Sequence, residues 1–368
     1  MKNYVEVNLG HIAENCQNLK KAVGGTKILV VLSANAYGHG IVEVAKTAAR
    51  VGADFLGVDS VEDGLMLRKN KVTLPILVFG RPDEDLLVEA VTKDLSLTVF
   101  DLEMVKKISH TGLQTKKPAK VHVKVETGLC RYGILENEIS AFFDHLKHTP
   151  KIEIEGVYST FAAAENRDKS YTFKQLGTFQ KITDVLRHEG YEIPLTHIAN
   201  SAAALSMSST HFNMVRVGLT VYGLFPNPEL GSFFELKPAL TWKSRIISLK
   251  KLSGGEKIGF SGACTTTFPI KVAVIPVGYS DGIDRRLSNI AKVLVRGKRA
   301  LIVGKVSMCD LMVDVSQVED VALGDEVVLI GKQESEQITA GELAGLLGTI
   351  NYEIVSRISP AIPRVYVR

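Results

Sequence analysis

The chain has 368 residues, 45% of them hydrophobic and 23% charged, and a net charge of +4 at pH 7. That length implies two domains rather than one small core, and the composition is that of an ordinary globular protein. So mild a charge gives no support to a nucleic-acid surface and suits small anionic ligands. No run reaches the roughly 18 apolar residues of a membrane helix, so no membrane partner is expected. The start, Met1-Lys2-Asn3-Tyr4-Val5-Glu6, lacks the apolar stretch of a secretory signal, which points to the cytoplasm. Cys16, Cys130, Cys264 and Cys309 show neither metal nor redox spacing, so reduced thiols and no metal site are expected.

In chain order, the apolar run 28–32 reads as a buried strand. It ends in the small and turn-forming residues 33–40, and 41–51 reads as a helix. Strand-like runs recur at 54–58, 74–79, 95–100, 121–125, 154–158, 195–198 and 219–222, with amphipathic helical patterns at 62–69, 102–109 and 171–188 between them. Eight strands alternating with helices predict an α/β fold, a (β/α)8 TIM-type barrel over residues 1–231. An open doubly wound sheet is the other reading of the same alternation. After Pro226-Asn227-Pro228 the pattern changes to short β runs at 245–249, 272–276, 292–295, 300–303 and 326–330, with one short helix at 342–347. Residues 232–368 therefore read as a mostly β domain, with the boundary near Gly231. In a barrel the chemistry sits where strands end and loops begin, which makes the loop after residue 32 the first place to look.

That loop reads Ala34-Asn35-Ala36-Tyr37-Gly38-His39-Gly40. It resembles the A-N-A-Y-G-H-G signature of the alanine racemase family, which uses pyridoxal 5′-phosphate (PLP). Five further stretches are similar in the same order. Lys124–Gly133 resembles K-V-D-T-G-M-x-R-x-G, His197–Ala203 resembles H-x-A-N-S-A-A, and Met214–Gly218 with Tyr222-Gly223 resembles M-V-R-P-G followed by Y-G. Val277–Gly282 resembles V-G-Y-A-D-G, and Thr349–Glu353 with Ile362–Arg364 resembles the family's C-terminal end. The resemblance implies a PLP cradle. Tyr37, Asn200, Ser201, Gly218 and Leu219 would serve the cofactor, its phosphate dianion above all, by hydroxyl or backbone N–H. Arg216 would face the pyridine nitrogen, donating rather than accepting a proton. Arg131 would reach the cofactor's phenolic oxygen and the substrate carboxylate. Lys124 would brace it, and the equivalent lysine in the family is often carbamylated. Members form head-to-tail homodimers, so Phe260, Tyr279 and Met308 would come from a second chain. Ser201 can also be read as a helix N-cap, His39 as a structural residue of its loop, and Asp281 as a turn former.

The catalytic positions depart from the family. Racemisation needs a proton-transfer group on each face of the α-carbon. The family uses a lysine, which also holds the cofactor as an imine, and a tyrosine from a G-Y-G turn. Ser33 stands at the lysine position and Phe260 at the tyrosine position. A serine hydroxyl cannot form an imine, and a phenyl ring has no proton to exchange. The family's T-H-F-A is Ser159-Thr160-Phe161-Ala162, and its S-M-D is Ser307-Met308-Cys309 with Asp310 displaced by one. Four changes in one pocket read as natural divergence rather than one engineered exchange.

The expected function is therefore non-covalent binding of PLP, or of a PLP–amino-acid adduct, without ordinary racemase chemistry. Met308, Cys309, Tyr279 and Arg131 would face the amino-acid part. Two alternatives stay open on the sequence. One is an amino-acid racemase or other PLP enzyme using groups such as Tyr37, Cys309 or Tyr279. The other is a PLP-free enzyme using the cradle for a different anion. Cys130 and Cys309 map near the pocket, and buried inert thiols are the usual case.

Overall fold

A computed structural model describes residues 2–226 and 234–368. The chain divides into two compact units. One comprises Ile12–Ser33 and Ile41–Lys237, the other Met1–His11, Ala34–Gly40 and Pro238–Arg368. A cut at 1–231 and 232–368 would leave residues 2–11 and 34–40 on the barrel side, whereas both segments lie in the β unit. Gly231 itself lies outside the described residues.

The chain opens with β1 (Asn3–Asn8), which belongs to the β unit. The barrel strands follow as β2 (Lys27–Val31), β3 (Phe55–Val58), β4 (Ile76–Val78), β5 (Leu95–Val99), β6 (Ala119–Lys124), β7 (Ile152–Tyr158), β8 (Leu195–His197) and β9 (Met214–Val217). All pair in parallel and in chain order, and β9 returns to β2 with Leu29 opposite Arg216. Between β8 and β9, Arg216 N donates to Ala199 O at 3.0 Å and Asn213 N to Thr196 O at 3.4 Å, closing the ring. The expected (β/α)8 architecture is what the chain adopts. The residues of β3, β4, β5 and β9 are all buried, as parallel strands covered on both faces must be, which is why they read as unbroken apolar runs.

Helix starts follow local chemistry. Ser60 caps Val61–Lys69 by accepting from Asp63 N, and Asp101 caps Leu102–Thr115 by accepting from Met104 N at 2.8 Å. That second helix runs beyond 109 because Thr111 and Gly112 are also buried against the barrel. One strand was expected in the wrong place. Residues 219–222 form a 3-10 turn, Leu219–Tyr222, and the eighth strand is Met214–Val217. Gly218 leaves the extended region (φ −122°, ψ −84°), and Tyr222 is held in the turn by its hydroxyl, which donates to Val31 O at 2.7 Å. Tertiary packing outweighs the β propensity of Val221 and Tyr222.

The β unit continues with β10 (Leu240–Arg245), β11 (Ser248–Leu252), β12 (Lys257–Ile258), β13 (Cys264–Thr265), β14 (Ile270–Ile275), β15 (Lys292–Val295), β16 (Lys298–Ile302), β17 (Leu311–Asp314), β18 (Glu326–Gln333), β19 (Glu336–Ile338) and β20 (Arg364–Val367). Its main sheet runs β11-β14-β17-β16-β15-β18-β10-β1-β20, with β19 on β18 and a separate β12–β13 hairpin. The run expected at 245–249 is two strands, β10 and β11, broken at Ile246-Ile247. The short helix is Ala340–Leu347, capped by Thr339. No described helix is long and apolar enough to cross a membrane.

β1 fills the gap between β10 and β20, with Val5 opposite Trp242 on one side and Arg364 on the other. Trp242 is the single tryptophan, and its indole N–H donates to Asn3 Oδ1 at 2.8 Å, so its fluorescence reports this sheet. Val5 is fully buried. Val5→Asp would bury an unpaired carboxylate at a cost of roughly 3–5 kcal/mol. The urea midpoint of the Trp242 fluorescence transition is expected to fall sharply, and an unchanged midpoint would show that β1 contributes nothing to the sheet.

Candidate active site

The first loop after β2 is unusual in its backbone. Ser33 Oγ donates to Asp59 Oδ1 at 2.7 Å, joining the ends of β2 and β3. Ala34, Asn35, Ala36 and Tyr37 then take φ values of 50°, 55°, 55° and 52°. A left-handed turn costs an L-residue roughly 1–2 kcal/mol each, and strain of this kind gathers at functional sites. Internal bonds hold it: Gly38 N to Ala34 O at 3.0 Å, His39 N to Ala36 O at 3.0 Å and Gly40 N to Asn35 O at 2.9 Å. Gly38 has φ 81°, and a Cβ there would sit 2.3 Å from Val355 O. His39 Nδ1–H donates to Ala36 O at 3.1 Å and Tyr37 O at 2.9 Å. Burial pushes its pKa down to about 4, so it is a neutral structural residue. The Tyr37 ring meets Tyr352 edge-on, 6.4 Å between centroids.

In the barrel unit the strand interiors carry a polar chain where branched aliphatics usually pack. Arg216 on β9 is buried. Its Nη1 donates to His197 Nδ1 at 2.8 Å and His197 O at 3.2 Å. Its Nη2 donates to Ser159 O at 2.6 Å, Thr160 Oγ1 at 3.1 Å and Ile198 O at 3.3 Å. A guanidinium can only donate, so His197 Nδ1 must accept and its proton sits on Nε2. Nε2–H then donates to His122 Nδ1 at 3.0 Å, and His122 Nε2–H donates to Glu155 Oε2 at 3.0 Å. Glu155 also accepts from Ser96. Every tautomer in the chain follows from Arg216. Burial, then the Arg216 charge, holds His197 well below its ordinary pKa; burial also lowers that of His122, against the pull of Glu155. Tyr158 stacks flat on His197 (centroids 4.9 Å, interplanar 5°) and shares a 2.9 Å hydrogen bond with Thr98.

Lys124 closes β6. It is 2% exposed, its Nζ donates to Thr160 Oγ1 at 2.9 Å and lies 4.6 Å over the Tyr158 ring. Burial, then the charges of Arg216 and Arg131, holds this amine well below the usual lysine range. Thr160 thus joins Lys124 to Arg216. The following loop is built on Glu126. Burial pushes that carboxyl up, but N–H donors from Cys130, Gly128, Leu129 and Arg131 outweigh it and leave the pKa lowered. The loop presents Arg131, exposed, with its guanidinium 4.9 Å over Tyr132.

After β8, Asn200 Oδ1 accepts from Ala203 N at 3.1 Å, so Asn200 is the N-cap of the helix Ser201–Ser206. The N-cap role expected of Ser201 is therefore filled by its neighbour. Ser201 Oγ accepts from Gly218 N at 3.0 Å and lies 3.2 Å from Thr220 Oγ1, which brings the β8 and β9 loops together. Hydroxyls, turn N–H groups and Arg216 form a donor set suited to PLP. Nε–H is the one Arg216 donor position with no acceptor among the described residues, leaving a donor for a ring nitrogen. The residues present fit this cofactor.

The β unit gathers the other expected residues. Phe260, Tyr279, Met308 and Cys309, with Asp284, Arg285 and Arg357, line one cavity of about 1200 Å³. Phe260, Met308 and Tyr279 are 68%, 57% and 43% exposed. The turn at Gly278 docks on the Met308 loop: Ser280 N donates to Met308 O at 3.0 Å and Tyr279 N to Ser307 O at 3.0 Å. A Cβ on Gly278 would sit 2.1 Å from Met308 O. Asp281 Oδ2 accepts from Gly278 N at 2.8 Å, the turn-forming role expected of it. Cys309 and Cys130 are exposed free thiols, against the expectation of buried ones, and Cys16 is the buried one. Among the described residues no His, Cys, Asp or Glu group could hold a metal.

Sequence reading missed Asp59, His122, Glu155 and Tyr158. A polar residue inside an apolar strand run was the available signal for the last three. Because His122 and His197 are held below the ordinary 6.5, the unfolded barrel binds protons first as pH falls. Their contribution to stability is complete above about pH 6.5 and is lost below it, at up to about 1.4 kcal/mol per pH unit for each. Hydrogen-exchange protection of peptides covering β6 and β8 is expected to decline from pH 7 to pH 5 after correction for intrinsic exchange. Constant protection would mean that neither ring is held neutral.

The comparisons agree with this geometry. Residues 7–226 match the family described as alanine racemase, N-terminal domain, and residues 239–366 match alanine racemase, C-terminal domain. Alanine racemase 2 of Caldanaerobacter subterraneus is 40% identical over 365 residues, covering 99% of this chain and 94% of that protein. Alanine racemase of Symbiobacterium thermophilum is 40% identical over 363 residues, covering 99% and 96%. Among solved structures, alanine racemase from Bacillus anthracis with bound L-Ala-P superposes with a TM-score of 0.95 at 37% identity, covering 100% of this chain and 95% of that one. Alanine racemase from Clostridium difficile 630 gives a TM-score of 0.95 at 36% identity, covering 100% and 96%. A closed barrel with Arg216 at its centre, a β unit, and full-length similarity to these proteins place the chain in the alanine racemase family, which is PLP-dependent.

Proposed function

We propose that this chain binds PLP, or an adduct of PLP with an amino acid, and does so non-covalently and without ordinary racemase chemistry. What supports the reading is the meeting of the β8 and β9 loops, where Gly218 N donates to Ser201 Oγ, together with a hydrogen bond from Ser33 to Asp59 where the resemblance puts the family's lysine. PLP, when bound, supplies an electron-withdrawing ring and an aldehyde that condenses with amines. Ser201 and the Gly218–Leu219 turn would hold the phosphate, and Arg216 Nε–H would donate to the ring nitrogen. Arg131 would meet a carboxylate. Ser33 offers no amine, and Phe260 has no exchangeable proton. The relatives named alanine racemase favour a second reading, racemisation of alanine by other groups such as Tyr37, Tyr279 or Cys309.

Each lost proton-transfer group costs about 10² to 10⁴ in rate. Conversion of L-alanine to D-alanine, followed by chiral chromatography, is expected at background. Ser33→Lys should raise it weakly, and Ser33→Lys with Phe260→Tyr further. Robust turnover by the unaltered chain would establish the second reading. Charge-assisted hydrogen bonds contribute roughly 1.5–3 kcal/mol each, so Arg216→Gln or Ser201→Ala should weaken PLP binding by roughly tenfold or more in equilibrium dialysis. Borohydride should leave no label on the protein.

The chain is also proposed to be a homodimer. Phe260 and Met308 are exposed on one cavity of the β unit, and exposed apolar patches mark interaction sites; here the partner is a second copy. Sedimentation at micromolar concentration should give twice the chain mass, and a monomer would refute this.

A further inference from the structure

Arg131 is exposed, and its guanidinium has no hydrogen-bond partner among the described residues; it rests over the Tyr132 ring. Lys124, expected to brace it, donates instead to Thr160 Oγ1 at 2.9 Å, and the charges of the two side chains oppose one another. The placing of Arg131 therefore falls to its loop. That loop is closed at its base, where Glu126 N donates to Ile134 O and Ile134 N to Lys124 O, both at 2.9 Å. Inside it, N–H groups converge on the Glu126 carboxylate. These bonds shape the loop but do not aim it, because all of them lie within residues 124–134. On one side Tyr132 fixes it, the hydroxyl donating to Phe79 O at 3.4 Å. On the other it lies on the helix Ser170–His188. The Tyr171 hydroxyl donates to Gly128 O at 2.6 Å. Gly128 has φ 133°, and a Cβ there would sit 2.6 Å from that hydroxyl and 3.4 Å from Gln175 Cγ.

Gln175, one turn further along that helix, is fully buried. Its Oε1 accepts from Ala162 N at 2.9 Å, and its Nε2 donates to Thr160 O at 3.1 Å and, more loosely, to Thr127 Oγ1 at 3.4 Å. The amide cannot be turned over, since Ala162 N only donates and Thr160 O only accepts. The hydroxyls beside it are ordered in the same way. Ser159 gives its one hydrogen to Val125 O at 2.9 Å, so Thr127 must donate to Ser159 Oγ, at 2.7 Å, and keeps its lone pairs for Gln175. One buried amide thus ties the Arg131 loop to the end of β7, where Thr160 meets both Lys124 and Arg216.

We propose that Gln175, helped by Tyr171, is the positioning residue that aims Arg131 at the carboxylate of a bound amino-acid adduct. Selection of a carboxylate-bearing ligand then depends on a side chain that is itself buried. The inference rests on the reading of Arg131 as the group that meets a carboxylate. The phosphate and ring contacts are independent of it. Ser201 is held to Gly218 N, and Arg216 N to Ala199 O, by bonds in which Gln175 has no part. A guanidinium–carboxylate pair needs its two donors in one plane with the two oxygens, so a small turn of the loop costs the pair while leaving the rest of the site intact.

The test compares pyridoxamine 5′-phosphate with N-(5′-phosphopyridoxyl)-L-alanine, which adds a carboxylate-bearing substituent on the amine. Equilibrium dialysis of the unaltered protein is expected to give the alanine adduct a Kd lower by roughly tenfold, a preference that Arg131→Gln removes. Gln175→Met, which keeps the volume and loses the amide, should cut the preference to about threefold or less, with pyridoxamine 5′-phosphate within about threefold of its original Kd. Tyr171→Phe, at an exposed ring, should lower the preference too, and it carries the test if circular dichroism shows Gln175→Met unfolded. In the Arg131→Gln background neither change should alter the ratio further, which a merely structural role does not predict. An unchanged ratio, or equal weakening of both ligands, would overturn the positioning role and leave Arg131 standing. A ratio indifferent to Arg131→Gln would overturn the reading of Arg131, and absence of saturable binding by either ligand would overturn the cradle, each taking this inference with it.

Discussion

A single buried guanidinium sets the chemistry of the barrel. Arg216 cannot accept a hydrogen bond and does not lose its proton at neutral pH, although burial pushes its pKa down to about 10. Placed between β8 and β2, it dictates which nitrogen of His197 carries hydrogen, and through His197 the tautomer of His122, ending on Glu155. The cost of burying the charge is met by carbonyl oxygens at the ends of β7 and β8 and by Thr160. Half-satisfied polar networks are worse than apolar cores, and in this one each ring nitrogen of both histidines has a partner.

The same guanidinium links the barrel core to its mouth. Through Thr160 it is joined to Lys124, whose pKa is held well below the usual lysine range by burial, then by the charges of Arg216 and Arg131. Thr160 is a small hydroxyl that accepts from both Lys124 Nζ and Arg216 Nη2. Ser33 and Asp59 join the ends of β2 and β3, the strands that follow β9 round the ring.

The β unit is organised by backbone proximity. Gly278 lets the Tyr279 turn lie directly on the carbonyl of Met308, and Asp281 closes that turn from below. Those contacts gather Phe260, Tyr279, Met308 and Cys309 on one concave surface. The strained turn from Ala34 to Tyr37 is likewise kept by Gly38, whose missing Cβ admits Val355 O.

The alternation of apolar runs and amphipathic helices determined the barrel, because parallel strands covered on both faces must be apolar throughout. The motifs determined the family and the positions of Ser33, Arg131, Ser201 and Arg216. Local signals failed where the answer depended on distant residues. Leu219–Tyr222 has strand composition, but its conformation is set by Gly218 and by Val31, almost two hundred positions earlier. β1 carries no mark of its partners, β10 and β20, because strand pairing is chosen by the whole sheet. Asp59 looked like any turn carboxylate until the barrel brought it to Ser33. His122 and Glu155 became a relay only when β5, β6, β7 and β8 closed round them. Composition and period are written along the chain, whereas hydrogen-bond partnership and burial depend on which segments meet, and that is decided only by the tertiary structure.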